Sequence, residues 1–272
     1  MKTKIIVLGM ALSLFLTSCN KDEDNKSANT FTAAEVKENA EMDNISDDVA
    51  YLTESQSDES PAGRSPGRVA EFLGPCAEVT TEVSDNIWTR TIDFGTDGCT
   101  LFNGNTVRGK IIITFTNDFD AETRSVSYAF DNFYHNDRHV EGNRSLVRTK
   151  VDGHPKSTIS LDMTVTTSNG IYHRTGQRVR EFTAGYNSFF NLYDNEFTIT
   201  GNWTTTFPNG NTQSTAITNP LIEKWNCLHI VSGTITFTRN ANSAVLDYGD
   251  GSCDDDATII INGIVYPVDL GF

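Results

Sequence analysis

Five aspartates lie within ten residues near the C-terminal end of the sequence, and they form its strongest candidate for a metal site. Asp247, Asp250 and Asp254 are spaced with glycines between them. Carboxylate oxygens carried on short turns are the ligands that Ca²⁺ prefers. The spacing differs from that of an EF-hand loop, and aspartate is also a common turn residue that binds its own backbone. The sequence leaves two alternatives, a calcium site at these three aspartates or turns that need no cofactor.

Other acidic residues are candidates for the two carboxyl groups that glycoside hydrolysis requires. They are Asp131, Asp137, Glu141 and Glu181. His135 and His139 flank a polar turn and are candidates for a metal-binding pair, with a chance surface pair as the alternative. The sequence shows no glycine-rich phosphate loop and no nucleophile paired with a base. An extracellular glycoside hydrolase is therefore an alternative function rather than the leading one.

Aromatic residues give a better indication of function than these polar clusters. Trp88 and Trp203 stand beside Asn and Thr, and Phe189 and Phe190 lie in a stretch rich in Gly, Asn and Ser over residues 184–195. Aromatic rings on an exposed sheet face or loop can stack on sugar rings or on a protein partner. We expect these four residues to be candidates for such binding, with filling of the sheet core as the alternative for the tryptophans.

Most of the sequence after residue 69 has the pattern of half-buried β-strands. Apolar and polar residues alternate over residues 110–116, 125–133, 158–166 and 230–238. Asn-Gly and Asp-Gly pairs between such segments supply the positive φ angles that tight hairpins require. The sequence predicts an all-β fold, a large antiparallel meander of about ten to thirteen strands. A curled sheet, an open barrel and a sandwich remain as its possible forms.

Four cysteines form an internal repeat within this β-rich part. Cys76 and Cys99 are separated by about as many residues as Cys227 and Cys253. Each pair ends in an apolar-Asp-aromatic-Gly run, a short turn and the second cysteine. The repeat predicts a duplicated β unit with local disulfides, Cys76 to Cys99 and Cys227 to Cys253. A Cys₄ zinc site is the alternative, but the closely spaced cysteines typical of such sites are absent from the sequence.

Several short runs resemble those of a family of uncharacterised Bacteroidota lipoproteins. They lie at residues 91–95, 109–112, 131–134, 140–142 and 247–254. The resemblance covers about residues 72–270. It implies an all-β exported domain, and it provides no catalytic residues to assign.

The first nineteen residues resemble the export signal of a bacterial lipoprotein. A short basic segment precedes an apolar run of 12 residues (residues 5–16, IIVLGMALSLFL), which is shorter than the roughly 20 residues of a membrane span. The run ends in Leu16-Thr17-Ser18-Cys19, which resembles a lipobox and predicts cleavage and lipidation at Cys19. The acidic run directly after Cys19 resembles the signal that sends Bacteroidota lipoproteins to the cell surface. A spacer on a periplasm-facing protein is the alternative.

Three regions follow from these patterns: a signal peptide (residues 1–18), an acidic tether (19–68) and an all-β domain (69–272). In the tether, Thr32 and Glu35 form a capping box. Apolar residues at steps of three and four then predict a short helix over residues 32–53, lightly docked or exposed.

The function expected from the sequence is therefore a non-catalytic module on a membrane. The 272-residue chain carries 36 acidic and 21 basic residues, a net charge of −15, which excludes nucleic-acid partners that require clustered Lys and Arg. We expect a lipid-anchored outer-membrane lipoprotein that binds a glycan or an envelope protein or has a structural role. A curled sheet that carries lipid or another apolar ligand is a further alternative.

Overall fold

The computed structural model describes residues 31–58, 73–116, 118, 121–151, 154–185, 193–227 and 229–270. The expectations for the signal peptide, Cys19, Phe189 and Phe190 lie outside these residues. Residues 31–272 form one compact unit.

Within the described residues the chain forms one helix, α1 (Ala33–Asp58), and fifteen strands. The strands are β1 (Glu78–Ser84), β2 (Ile87–Asp93), β3 (Cys99–Thr100), β4 (Thr106–Thr116), β5 (Thr123–His135), β6 (Arg138–Glu141), β7 (Asn143–Val151), β8 (His154–Thr167), β9 (Gly170–Ala184), β10 (Glu196–Thr206), β11 (Thr212–Lys224), β12 (His229–Arg239), β13 (Asn242–Asp250), β14 (Asp256–Ile261) and β15 (Ile264–Asp269). The predicted all-β fold is confirmed, with more strands than expected.

The strands form a single antiparallel sheet in which most neighbours in space are also neighbours in sequence. Its order runs from β1 and β2 through β4, β5, β6 and β8 to β15, with β3 paired to β4 and β7 paired to β5 and β8. This is the predicted meander, in one sheet rather than the two of a sandwich. In the described part of the chain, β1 pairs only with β2 and β15 only with β14, so the path has two open ends.

Tight turns fix the register of the hairpins at both ends of this path. Asp85 and Asn86 connect β1 to β2 with φ angles of 49° and 66°. Asn262 and Gly263 connect β14 to β15 with φ angles of 53° and 79°. Two successive residues with positive φ match the twist of the strands they join, which is why Asn, Asp and Gly occupy these positions.

The predicted helix exists, and its first turn has the expected chemistry. The backbone N–H of Thr32 donates to Glu35 Oε2 at 3.1 Å, and the N–H of Glu35 donates to Thr32 Oγ1 at 3.2 Å. This reciprocal pair is the capping box. The apolar stripe is also confirmed, because Met42, Ile45 and Leu52 are fully buried.

The expectation that the helix is lightly docked or exposed is wrong. Polar residues on its other faces are buried as well, among them Asn39, Asp43 and Gln56 at 1% exposure each. The helix has partners on strands far apart in the sheet order, since Arg90 of β2 donates to the Gln56 carbonyl and Arg239 of β12 donates to Glu35. A single sheet reaches one helix from so many strands only when it curls around that helix.

The two predicted disulfides are confirmed and close equivalent hairpins. Cys76 bonds Cys99 around β1 and β2, and Cys227 bonds Cys253 around β12 and β13.

The two hairpins share a hydrogen bond at the Asp-aromatic-Gly run. Asp93 Oδ1 accepts the Gly95 N–H at 2.9 Å, and Asp247 Oδ1 accepts the Gly249 N–H at 3.0 Å. The sequence repeat therefore corresponds to a structural repeat.

Candidate functional site: the charged interior around the helix

The surface between α1 and the sheet holds a dense set of opposite charges, which we call the charged interior. Its carboxylates come from the helix and are Glu35, Glu38, Glu41, Asp43, Asp47, Asp48 and Glu54. Its partners come from the inner face of the sheet and are Arg138, Arg148, Arg174, Arg178, Arg180, Arg239 and the imidazole of His135. An acidic helix therefore lies against a sheet face lined with arginine.

Strand β9 supplies the centre of this set. Arg174, Arg178 and Arg180 have the same parity along the strand, so their side chains point to one face, and each is at most 2% exposed. Arg174 donates to Asp43 at 2.5 Å, Arg178 contacts Asp47 at 3.1 Å, and Arg180 donates to Glu54 at 2.7 Å. The strand thus follows the helix with one charge pair after another.

Trp203 of β10 separates two of these arginines. The guanidinium carbons of Arg174 and Arg178 lie 5.2 and 5.3 Å from the centroid of its ring, within the range of cation–π attraction. The ring crosses β9 opposite Gly176, where an added Cβ would lie 2.5 Å from the Trp203 Cα. Glycine at this position lets the two strands approach closely enough to hold the tryptophan between the arginines.

Asp47 is the carboxylate whose proton affinity the interior changes most clearly. Burial raises its pKa to about 7, Arg178 opposes that rise, and Glu223 and Asp43 add to it. Burial would lower the pKa of Arg178, but Asp47 and Asp43 outweigh it and raise that pKa. The charge of this part of the interior therefore changes near neutral pH.

Asp48 is the hydrogen-bonding centre on another side of the helix. Its carboxylate lies 2.8 Å from His135 Nε2 and accepts from Asn103 Nδ2 at 2.7 Å and Asn105 Nδ2 at 2.8 Å. These bonds attach the helix to β5 through His135, which is fully buried. They also attach it to the loop that precedes β4 through Asn103 and Asn105.

The C-terminal half of the helix is held by a shared arginine. Arg180 donates to Glu54 of the helix and at 3.1 Å to Glu223 of β11, while its guanidinium lies over the ring of Phe197. Arg148 of β7 also contacts Glu54, at 3.6 Å. One guanidinium thus connects the helix to two strands of the sheet.

The chemistry of this interior is that of a structural joint. Each carboxylate of the charged interior faces a guanidinium or an imidazole, so every one of them has a fixed partner on the sheet. The space that a lipid carrier would offer to a ligand is occupied by α1. Loss of one partner would leave an uncompensated buried charge, which is strongly destabilising.

The expectation that Trp88 and Trp203 stand on an exposed face is wrong. Trp88 is 8% and Trp203 2% exposed, and both belong to the core. They lie on the inner face because their strand positions alternate with the outward-facing residues. The alternative that these rings fill the core describes them correctly.

The aspartates proposed for calcium are engaged in turns. Asp247 accepts the Gly249 N–H, and Asp250 accepts both the Ser252 N–H at 3.1 Å and its hydroxyl at 2.7 Å. The bonds from Ser252 hold the pKa of Asp250 below its ordinary value. Asp254 is exposed. Within the described ranges, no three His, Cys, Asp or Glu side chains are grouped to hold a metal ion.

The carboxylates considered for hydrolysis lie on the outer surface or in surface pairs. Asp131, Asp137 and Glu141 are exposed, and Glu181 lies 3.5 Å from Lys156. His135, a candidate for a metal-binding pair with His139, instead lies 2.8 Å from Asp48.

His139 has a different environment, because its ring contacts Tyr134 on the surface of the hairpin. The two histidines therefore take separate roles.

Sequence reasoning missed the charged interior because it treated the helix as part of a solvated tether. A signal was present: Arg174, Arg178 and Arg180 share one parity of a strand, and acidic residues recur along the helix on several faces. Arginines on the buried face of a strand need acidic partners, and the helix is rich in acidic residues. Which strands meet the helix depends on the curl of the sheet, which no local pattern reports.

Comparison with known proteins finds no matching family model, no matching curated protein and no matching solved structure. In the described part of the chain, no helix has the length and apolar character that crossing a membrane requires.

Proposed function

We propose that the chain is a lipid-anchored lipoprotein of the outer membrane, exposed at the cell surface, whose β domain is a non-catalytic binding or structural module. The basic segment, the apolar run of residues 5–16 and Cys19 support the anchor. The acidic residues directly after Cys19 support export to the surface. Acyl chains attach a protein to a membrane without a spanning helix, at about 0.8 kcal/mol for each buried CH₂.

The observation that supports a binding or structural module is that the helix fills the concave side of the sheet. Met42, Ile45 and Leu52 of the helix are fully buried at its centre, and charge pairs surround them. A domain whose concave face is occupied by its own helix presents its outer face, loops and edges to partners. Phe189 and Phe190 remain the candidates for contact with a glycan or an envelope protein.

Lipidation at Cys19 is tested by metabolic labelling of the full chain with a radioactive fatty acid. We expect the native chain and the matched control Ser18→Ala to incorporate label and to fractionate with membranes. Cys19→Ala is expected to do neither, because it removes the thiol that is acylated. Labelling of Cys19→Ala at the native level would contradict the anchor.

Surface exposure is tested separately by protease treatment of intact cells. The native chain should be digested while a periplasmic marker protein stays intact. A chain that resists digestion until the outer membrane is opened would place the domain in the periplasm. If the Cys19→Ala protein is found in the medium and is digested there, export to the outside does not depend on the lipid anchor.

A further inference from the structure

The first strand of the sheet is unusually open. All seven residues of β1 are exposed, and in the described part of the chain β2 is its single partner. An edge strand of this kind presents a row of unpaired N–H and C=O groups to any strand that approaches it. The sheet is therefore incomplete along β1.

Two apolar side chains of β1 continue the inner face of the sheet without being covered. Val79 lies opposite Ile92 and Val83 opposite Trp88 in the register with β2, and paired residues point to the same face. Ile92 is fully buried and Trp88 is 8% exposed, whereas Val79 is 38% and Val83 56% exposed. The core pattern thus runs to the edge and stops there.

The other open end of the sheet is protected differently. Strand β15 carries Pro267 in its interior, opposite Thr258. Proline has no N–H to donate and is a common means of blocking strand addition at an edge. No proline interrupts the sequence Glu-Val-Thr-Thr-Glu-Val-Ser of β1, so the two ends differ in their ability to accept a further strand.

The sequence of β1 is complementary to itself in one antiparallel register. If Thr81 faces Thr81 of a second copy, then Val79 faces Val83, Thr80 faces Glu82 and Glu78 faces Ser84. Apolar residues meet on the inner face, and no two glutamates stand opposite each other on the outer face. Such cross-strand pairs are the unit of sheet stabilisation, whereas like charges placed opposite each other are destabilising.

We infer that β1 is an interface between two copies of this chain, which pair antiparallel about a two-fold axis at Thr81 and continue the sheet across the dimer. The same strand patch serves both copies, so the contact is closed and does not propagate into a fibre. The seven-residue overlap provides about six backbone hydrogen bonds, because alternate residues of β1 already bond β2, and it brings the exposed valines of each copy together.

A disulfide between copies tests the register directly in intact cells that produce the full chain. At the two-fold axis the Cα atoms of opposed residues lie about 4.5–5.5 Å apart, within the range that a disulfide spans. Thr81→Cys should therefore give a dimer band on a non-reducing gel. Ser84→Cys is the matched control, because six residue steps place its two copies roughly 20 Å apart, and it should stay monomeric.

Charge changes on the outer face test the same register in the purified full chain in detergent. Thr80→Glu places Glu opposite Glu82 in both symmetric pairs, and we expect about threefold to tenfold weaker dimerisation by sedimentation. Thr80→Lys at the same position should tighten the dimer by a similar factor. The double variant Thr80→Glu with Glu82→Lys should restore it. Within one chain these positions face Thr91 and Thr89, so folding is unaffected.

Three results would overturn the inference. One is a full chain that sediments as a monomer at every concentration while Thr81→Cys yields no dimer band. Another is equal crosslinking of Thr81→Cys and Ser84→Cys, which indicates random collision. The third is a dimer that the Thr80 variants leave unchanged, which places the interface on another surface.

Discussion

The charged interior around α1 and the open edge at β1 differ in how their polar groups are satisfied. In the interior, the Asp43 and Arg174 side chains are 2% and 1% exposed and lie 2.5 Å apart. At the edge, all seven residues of β1 are exposed and its outer side has no neighbouring strand in the described residues. The ion pairs of the first region form within one chain, whereas the second has room for a further strand beside β1.

This difference indicates where structure and function divide. Buried charges must be paired, so the interior tolerates little change and acts as a joint between helix and sheet. Exposed backbone groups remain available to a partner, so the edge is suited to interaction. The interior keeps the sheet in shape from inside, and the open edge is where we propose that contacts are made.

The largest effect is expected from breaking a charge pair in the interior. Asp43→Ala leaves the buried guanidinium of Arg174 without its carboxylate, and such losses typically cost about 3–5 kcal/mol of stability. Chemical denaturation of the native chain and the variant measures the difference. An unchanged midpoint would show that the helix does not hold Arg174 in solution.

Loss of a disulfide is expected to lower the free energy of unfolding somewhat less. Its effect on hydrogen exchange should differ between the two disulfide-bonded hairpins. Each bridge closes a loop of similar length, worth about 3 kcal/mol in the chain-entropy model. Replacing Cys227 and Cys253 by Ser should lower the global stability of the chain by about that amount. Replacing Cys76 and Cys99 should also increase the hydrogen exchange of β1 in the dilute, monomeric chain, because that strand then has one neighbour instead of two. Equal hydrogen exchange of β1 with and without the Cys76–Cys99 disulfide would contradict the description of β1 as an open edge.

The pH dependence of stability should carry a contribution from Asp47. Its pKa is about 7 in the folded chain against 3.8 for the ordinary group, so the folded state holds a proton that the unfolded state has already released. Stability from this group is therefore present below pH 4 and is lost as pH rises towards 7.

Asp47→Asn should remove that slope, which is at most about 1.4 kcal/mol per pH unit. Urea denaturation of both chains between pH 4 and pH 8 gives the comparison. Parallel curves for native and variant chains would show that Asp47 titrates normally.

The smallest effect on stability is expected from removing a surface ion pair whose atoms lie nearly as close as those of Asp43 and Arg174. Lys110 lies 2.7 Å from Asp93, but both side chains are more than a third exposed, and solvent screens such pairs. Lys110→Ala should leave the denaturation midpoint almost unchanged, which makes it the matched control for Asp43→Ala. A loss of stability as large as that of Asp43→Ala would mean that the distance between the charged atoms, rather than burial, determines what an ion pair contributes.

The strands, the hairpin turns and the disulfides followed from the sequence because local signals determine them. Alternation predicts half-buried strands, Asn262 and Gly263 supply positive φ, and the cysteine repeat matches Cys76 to Cys99. The role of the helix did not follow in the same way. Its capping box and apolar stripe were predicted, but its burial depends on Arg174 and other residues more than a hundred positions away.

The aromatic residues also show that local sequence patterns do not determine contacts between distant residues. The sequence placed Trp88 and Trp203 in strands, but it did not determine which face of each strand becomes the concave side of the sheet. That choice depends on the direction of curl around α1. Contacts distant in sequence, such as the crossing of Trp203 over Gly176, establish it.

Hydrogen exchange of the helix amides tests the central claim that α1 is an internal part of the β domain. In the native full chain, amides of residues 42–52 should exchange only through global unfolding, as slowly as those of the central strands β9 and β10. Mass spectrometry of peptic fragments resolves the three segments. Helix amides that exchange orders of magnitude faster than β9 would contradict the account and describe a helix that merely rests on the sheet.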